Sequence, residues 1–336
     1  MGDYRDSFRN RRVLITGGLG FIGSNLACSL VQYGAHVTIV DSMIPQYGGN
    51  LFNIHDIANR ITVNFADVRD IYSMNHLVRG QEYIFNLAGQ VSHIRSMADP
   101  FPDLEINCRA QLSLLESCRH GNPEVKILFA GTRGQYGRAR SLPVNEEHPM
   151  VPVDVNGINN IAGEQYHILY SKIYAMRATS LRLTNSYGPR HSMKSDDQSF
   201  LNWFIRRAID GHTIRIFGDG SQKRDFNYVD DVVDAFLMAA ADERTNGEIY
   251  NLGGTIPYSV LEVTQILLDV VGYGKYETVE FPSTRKKIEI GDYWGDYTKI
   301  KNLLGWTPQV DLRDGLRRTV DFYKNNKRHY WTASEE

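Results

Sequence analysis

Cysteine is nearly absent from this chain: Cys28, Cys108 and Cys118 are its only three in 336 residues. All lie in partly apolar, helix-like runs, with no Cys-x-x-Cys pair and no Cys/His cluster. Buried free thiols in a reducing compartment are the reading, and neither a disulfide framework nor a metal site is expected. Long apolar runs are missing too, so no segment is expected to span a membrane. The opening MGDYRDSFRN is polar throughout and is not read as a secretory signal. Asp6 stands where myristoylation of the Met1-Gly2 start would need Ser or Thr. A cytoplasmic location is expected. Charge of one sign is equally scarce. The formal net charge is −2, and the basic pairs Arg206-Arg207, Lys286-Lys287 and Arg317-Arg318 are scattered rather than gathered in a stripe. A nucleic-acid partner is therefore not expected.

Core-forming material is ample, with 42% hydrophobic and 23% charged residues. Short apolar runs predict strands at Val13–Ile15, His36–Val40, Ile61–Phe65, Tyr83–Leu87, Lys126–Ala130 and Thr179–Leu183. Helical patterns alternate with them, notably at Ile22–Tyr33, Asp103–His120 and Gly157–Tyr174. That alternation predicts an α/β protein, a parallel sheet with helices on both faces. After Pro189 the rhythm changes. Helices are expected at Ser199–Asp210, Val229–Ala241, Val260–Val271 and Leu312–Tyr323, with a short strand at Thr213–Phe217. This half reads as a smaller mixed lobe, and a cleft between lobes is the expected ligand site.

Between the first strand and first helix lies Gly17-x-x-Gly20-x-x-Gly23, with Phe21 and Ile22 inside it. Glycines there allow a tight turn and close approach to a pyrophosphate, which meets the free amides of the helix start. Asp41 ends the second strand, where a carboxylate accepts hydrogen bonds from a ribose 2′-hydroxyl and repels a 2′-phosphate. The cofactor expected is NAD.

Several runs recur in order from roughly Arg12 to Tyr323. They are the glycine turn, Asp67-Val68-Arg69, Asn86-Leu87-Ala88-Gly89, Asn107, Leu183-Thr184-Asn185-Ser186-Tyr187-Gly188-Pro189, Phe217-Gly218-Asp219-Gly220, Arg224-Asp225-Phe226, Tyr250-Asn251-Leu252-Gly253 and Leu304-Gly305-Trp306-Thr307-Pro308. On these the chain resembles the extended short-chain dehydrogenase/reductases, the nucleotide-sugar epimerases, dehydratases and decarboxylases. The resemblance implies a Rossmann-type doubly wound sheet with a smaller mixed C-terminal substrate lobe. The NAD-binding part would be residues 1–185, completed by about 229–255, and the sugar-nucleotide lobe 186–228 with 256–336. It implies cofactor contacts from Asp67, Val68, Leu87, Ala88, Gly89, Asn107 and Asn160. A nucleoside-diphosphate sugar is implied as ligand, held by Asn185, Phe217, Arg224, Arg285 and Lys286, since a guanidinium binds phosphate in a bidentate way. For Arg285 and Lys286 a solvated surface pair is an equal alternative. A homodimer through the helices 103–120 and 157–174 is implied as well.

The resemblance breaks at its catalytic pair. The family uses Tyr-x-x-x-Lys, in which the lysine lowers the tyrosine's pKa so that it removes a hydroxyl proton. The helping hydroxyl is present as Thr132, but the tyrosine and lysine positions are Asn156 and Asn160. Asparagine carries no charge and does not titrate usefully. Tyr297 to Lys301 and Tyr323 to Lys327 match the spacing but follow the expected site and are read as coincidences. Arg133 and Gly134 replace acidic positions used in 4,6-dehydratases, which counts against dehydration. His93 is a candidate substitute base, set against a plain surface histidine. The preferred reading is an epimerase acting at C4 or C2 through a transient keto-sugar; Ala88-Gly89-Gln90-Val91 is similar to a run in CDP-tyvelose 2-epimerases. A protein that binds NAD and a nucleotide sugar without turnover, a dehydratase or dehydrogenase, and asparagines introduced to trap a complex stay open.

Overall fold

The computed structural model describes residues 3–332, so the Met1-Gly2 start and the last four residues of the expected sugar-nucleotide lobe lie outside the described residues. Seven strands, β1 (Arg12–Thr16), β2 (His36–Val40), β3 (Ile61–Asn64), β4 (Tyr83–Asn86), β5 (Lys126–Thr132), β6 (Arg177–Leu183) and β7 (Ile249–Asn251), form one sheet in the order β7-β6-β5-β4-β1-β2-β3. Every pairing in it is parallel. The chain begins in the middle of the sheet, runs outward to β3, then crosses back to β4 on the other side of β1. Loops leaving β1 and β4 therefore diverge and open a crevice at their carboxyl ends, where α/β sheets bind ligands.

Alternation along β1 shows how both faces are used. Val13 and Ile15 enter a core cluster that continues through Leu26, Phe236 and Leu316 to Trp331. Leu14 points the other way, into a second cluster with Ile84, Ile127 and Leu115. A strand presents successive side chains to opposite faces, so a sheet covered by helices on both sides needs this unbroken apolar run. The first cluster joins residues of both halves of the chain, so the halves share one core. The smaller lobe carries three two-stranded pairings: Asn185–Tyr187 with Phe226–Tyr228, Ile214–Phe217 with Tyr276–Val279, and Lys223–Arg224 with Tyr258–Ser259.

Two expectations are corrected and one strand is added. Phe65 falls outside β3, which ends when the Asn64 carbonyl accepts the amide of Asp41, and Phe65 projects outward. The single helix expected at Asp103–His120 is three consecutive segments: an α-helix at Pro100–Leu104, a π-helix at Glu105–Arg109 and an α-helix at Ala110–Gly121. Within the wider turn, the Asn107 side chain binds the Gln90 backbone from both sides. β7 is too short for a period to show in the sequence and is recognisable only once it pairs with β6.

Lys126, at the start of β5, is fully buried, with Nζ donating to Thr245 Oγ1 at 2.8 Å and to Asn246 Oδ1. No carboxylate among the described residues forms an ion pair with it, and burial pushes its pKa from the ordinary 10.5 to about 7. The folded state thus binds fewer protons than the unfolded state between those two values, so this residue makes stability rise with pH from about 7 to 10.5. Lys126→Met is expected to flatten that slope and raise the melting temperature most near neutrality. Melting curves at a series of pH values check it, and an unchanged slope would contradict it.

Candidate active site

Two adjoining cavities of about 460 Å³ each occupy the crevice. The first runs from Gly17, Gly20, Phe21, Ile22, Gly23 and Asp41 past Asp67, Val68, Leu87, Ala88 and Gly89 to Asn107, Thr132, Asn156, Asn160 and Asn185. The second is lined by Asp154, Gly134, Phe217, Arg224 and Arg285 among others. His93, Ile94, Arg133, Asp196 and Phe200 face both. Lys286 lines neither cavity, so its expected role at the diphosphate is corrected: its short helix turns Arg285, not Lys286, toward the site. Tyr297, Lys301, Tyr323 and Lys327 line neither as well.

The glycine turn is built for close approach. Gly17 sits at φ +68°, and a Cβ there would meet the Ala88 backbone at 3.0 Å. A Cβ on Gly23 would stand 2.4 Å from the Gly17 carbonyl. The helix Phe21–Gln32 starts at Gly20 with no side-chain cap, so its first amides open on the cavity. Asp41 accepts the amides of Leu19 (3.0 Å) and Met43 (2.9 Å); burial pushes its carboxyl up while those amides pull it back. Asp67 is held low by the hydrogen bond from Arg69. A cradle open to phosphate, followed by a carboxylate at the end of β2, fits an NAD molecule laid along the first cavity.

Asn156 is buried and fully engaged. Its Nδ2 donates to the Gln90 carbonyl at 2.7 Å and to Asp103 Oδ2 at 2.9 Å, while its Oδ1 accepts from Asn160 Nδ2 at 3.3 Å. Asn159 donates to the other oxygen of Asp103 at 2.8 Å. Burial pushes the Asp103 carboxyl up, and the amides of Asn159, Asn156 and Asn107 hold it back. From the sequence Asp103 was expected only as the first residue of a helix. Here it is the acceptor that two helix amides need.

His93, which faces both cavities, is paired with Asp154 in the wall of the second. His93 Nδ1 lies 2.7 Å from Asp154 Oδ2, and Asp154 Oδ1 accepts the Gly157 amide at 2.7 Å as the cap of the helix Val155–Tyr174. Burial pushes the Asp154 carboxyl up, but the hydrogen bond and charge of His93 outweigh it and bring it below the usual range. A Cβ on Gly134 would lie 2.9 Å from His93 Cε1, so the imidazole stands in the space where another residue would place a side chain. Thr132 Oγ1 is beside it, accepting the Gly134 amide at 3.1 Å. Sequence reading found His93 but not Asp154, whose only signal was a helix-capping position. Arg224 pairs with Glu289 (2.5 Å) and Arg285 with Asp196 (2.7 Å), and Arg285 lies over the Phe217 ring. Tyr136 is structural: its hydroxyl donates to Asn251 Oδ1 and accepts from Arg182, both at 2.6 Å.

Among the described residues no helix is long and apolar enough to cross a membrane. No group of three or more His, Cys, Asp or Glu there could hold a metal ion. Asn156→Ala would leave a buried carboxylate short of a donor and is expected to cost about 1–3 kcal/mol. Asn156→Ala with Asp103→Leu should recover part of that loss. Urea unfolding measures both, and a neutral single substitution would contradict the network's role.

Residues 13–253 match the NAD dependent epimerase/dehydratase family. The UDP-glucose 4-epimerase of Mycolicibacterium smegmatis is 32% identical over 321 residues, covering 94% of this chain and 99% of that protein. A crystal structure of UDP-glucose 4-epimerase with UDP-glucose from Thermotoga maritima superposes with a TM-score of 0.85 at 30% identity, covering 94% and 99%. A dTDP-glucose 4,6-dehydratase from Streptomyces venezuelae, solved with NAD bound, gives a TM-score of 0.87 at 27% identity, covering 97% and 100%. The chain belongs to the NAD-dependent epimerase/dehydratase family of nucleotide-sugar enzymes, and NAD is its cofactor.

Proposed function

We propose that this chain is an NAD-dependent nucleotide-sugar epimerase in which His93, oriented by Asp154, replaces the family's tyrosine as the base. The observation that carries it is the His93–Asp154 hydrogen bond at the junction of the two cavities. Gly17, Gly20 and Gly23, with the amides of Phe21 and Ile22, hold the pyrophosphate of the cofactor. Asp41 takes the adenosine ribose, and Asp67 with Val68 lies at the adenine. Leu87, Ala88, Gly89, Asn107 and Asn160 border the nicotinamide half. Asn185, Phe217, Arg224 and Arg285 hold the nucleoside diphosphate in the second cavity, leaving the sugar beside His93 and Thr132.

Asp154 accepts from Nδ1–H, so the neutral imidazole presents a bare Nε2 to the sugar. NAD, held along the first cavity, would supply the acceptor and later the donor for a hydride at the reacting carbon. His93 Nε2 accepts the hydroxyl proton as the carbonyl forms, and Asp154 stabilises the imidazolium. After the keto-sugar turns over, the same Nε2–H returns the proton to the oxygen. Thr132 Oγ1 orients that oxygen. The reacting carbon is C4 or C2, each bearing a free hydroxyl in such sugars. Asn156 serves as a positioning residue, fixing the Gln90 turn that leads into the His93 helix.

Proton NMR of UDP-, GDP-, CDP- and dTDP-sugars incubated with the holoprotein should reveal one isomer. His93→Ala should abolish its formation with NAD affinity kept, and Asp154→Asn should slow it by roughly 10²-fold or more. Gly134→Ala, which crowds the imidazole, should slow it too. Binding of NAD and a nucleotide sugar with no isomer from any of them would favour a binding protein, and an active His93→Ala would place the base elsewhere.

We further propose a homodimer. Phe101 and Leu104 on the first helix region, and Ile158, Leu169 and Ile173 on the second, leave an apolar face exposed in the single chain. Sedimentation should give a dimer at micromolar concentration, and Phe101→Glu with Ile173→Glu should give monomer. A wild-type monomer would contradict it.

A further inference from the structure

Five arginines line the second cavity, and their counterions are unequally shared. Arg224 faces Glu289, Arg285 faces Asp196, and Arg215 pairs with Glu277. Arg207 rests against Trp203 and donates to the Thr213 carbonyl. Arg133 differs in place as well as in pairing. It follows Thr132 directly and lines both cavities, beside His93, whereas the other four line only the second.

Its protein contacts are weak for a half-buried cation. One nitrogen donates to Asn185 Oδ1 at 3.2 Å, and the guanidinium lies 5.6 Å from the centre of the Tyr293 ring. Among the described residues no carboxylate comes within ion-pair distance of it. Asn185 has already committed its own Nδ2 to the Asp225 carbonyl at 2.9 Å. Burial, and then the like charge of Arg224, push the Arg133 pKa down to about 10. A buried charge is tolerated when it is paired, so an uncompensated guanidinium at a cavity wall marks the place of an anion brought by the ligand.

The nearby carboxylates do not supply that anion: Asp154 has His93, Asp196 has Arg285 and Glu289 has Arg224, while Asp225, whose charge reaches Arg133, is not within ion-pair distance of it and accepts from Thr184 Oγ1 and the amides of Gly254 and Gly295. Phosphate is the other source, but Arg224 and Arg285, set toward the diphosphate end, line the second cavity alone. Arg133 lies at the reacting end, one residue from Thr132.

We propose that Arg133 binds a carboxylate on the sugar ring, so that the substrate is a nucleotide-linked sugar acid rather than a neutral sugar. The inference rests on the reading of the two cavities as a nucleotide-sugar site. A planar guanidinium meets a carboxylate in a bidentate way that a hydroxymethyl group does not reproduce. The same contact fixes the ring relative to His93, since the acid group and the reacting hydroxyl belong to one rigid ring. It takes no part in proton transfer, which makes Arg133 a specificity-determining residue.

Calorimetric titration of the NAD-loaded protein with UDP, GDP, CDP and dTDP, and then with the neutral-sugar and uronic-acid conjugates of the nucleotide that binds (glucose and glucuronate, or mannose and mannuronate), tests this. The sugar acid of the accepted nucleotide should bind about 10-fold or more tighter than its neutral counterpart. Arg133→Gln should erase that preference and leave affinity for the bare nucleotide unchanged, and Arg133→Lys should keep part of it. Retained NAD affinity verifies that each variant is folded. Equal wild-type affinity for acid and neutral sugar would overturn the proposal and leave the site reading standing. Loss of bare-nucleotide affinity in Arg133→Gln would overturn it by assigning Arg133 to the diphosphate. Failure of every nucleotide to bind the wild type would overturn the site reading and the proposal together.

Discussion

Asp154 uses one carboxylate twice. One oxygen accepts the amide that starts the longest helix bordering the site, and the other holds the imidazole of His93. Helix start and candidate base are therefore fixed to each other. The rest of the site follows from that point. The helix delivers Asn156 and Asn160 to the first cavity, Gly134 leaves the space in which the imidazole stands, and the Gln90 turn is tied back to Asn156. Such a doubly bonded carboxylate keeps a ring nitrogen in one tautomer without titrating itself.

The departure from the family's tyrosine and lysine is a change in several places at once. Lysine in that position would bring a charge; asparagine brings none, and Asp103, Asn156 and Asn159 form instead a buried set in which donors and acceptors match. An asparagine placed at 156 in a site shaped for tyrosine would not find a buried carboxylate waiting for its amide, nor a second asparagine, Asn159, on that carboxylate's other oxygen. The network supports native asparagines whose work is to shape the loop that carries His93. Arg133 restores a positive charge beside the cavity from a different element.

Much of this was legible in the sequence. Val13–Ile15 and His36–Val40 show as strands because covered parallel sheets demand unbroken apolar runs, and Gly17, Gly20 and Gly23 show because backbone must approach backbone there. Asp154 was not legible, because it lies 61 residues from His93 and its local signal, an acid before a helix, is the commonest of caps. Asp103 was hidden likewise, 53 residues from the amide it accepts. The π-helix at Glu105–Arg109 defeats a 3.6-residue period by construction, since its extra residue serves a contact with Gln90 that no local pattern announces. Of the expected pair Arg285 and Lys286 only Arg285 lines the second cavity, since in a short helix one residue turns a side chain through about 100°.

In the mechanism we propose, an imidazole held by Asp154 does the work of the family's tyrosine. A crystal structure of the holoprotein with a bound nucleotide sugar measures it most directly. The account predicts His93 Nε2 within roughly 2.6–3.2 Å of the hydroxyl on the carbon facing the nicotinamide, with Nδ1 still on Asp154. Any other titratable group at that hydroxyl, with His93 turned away, would contradict it.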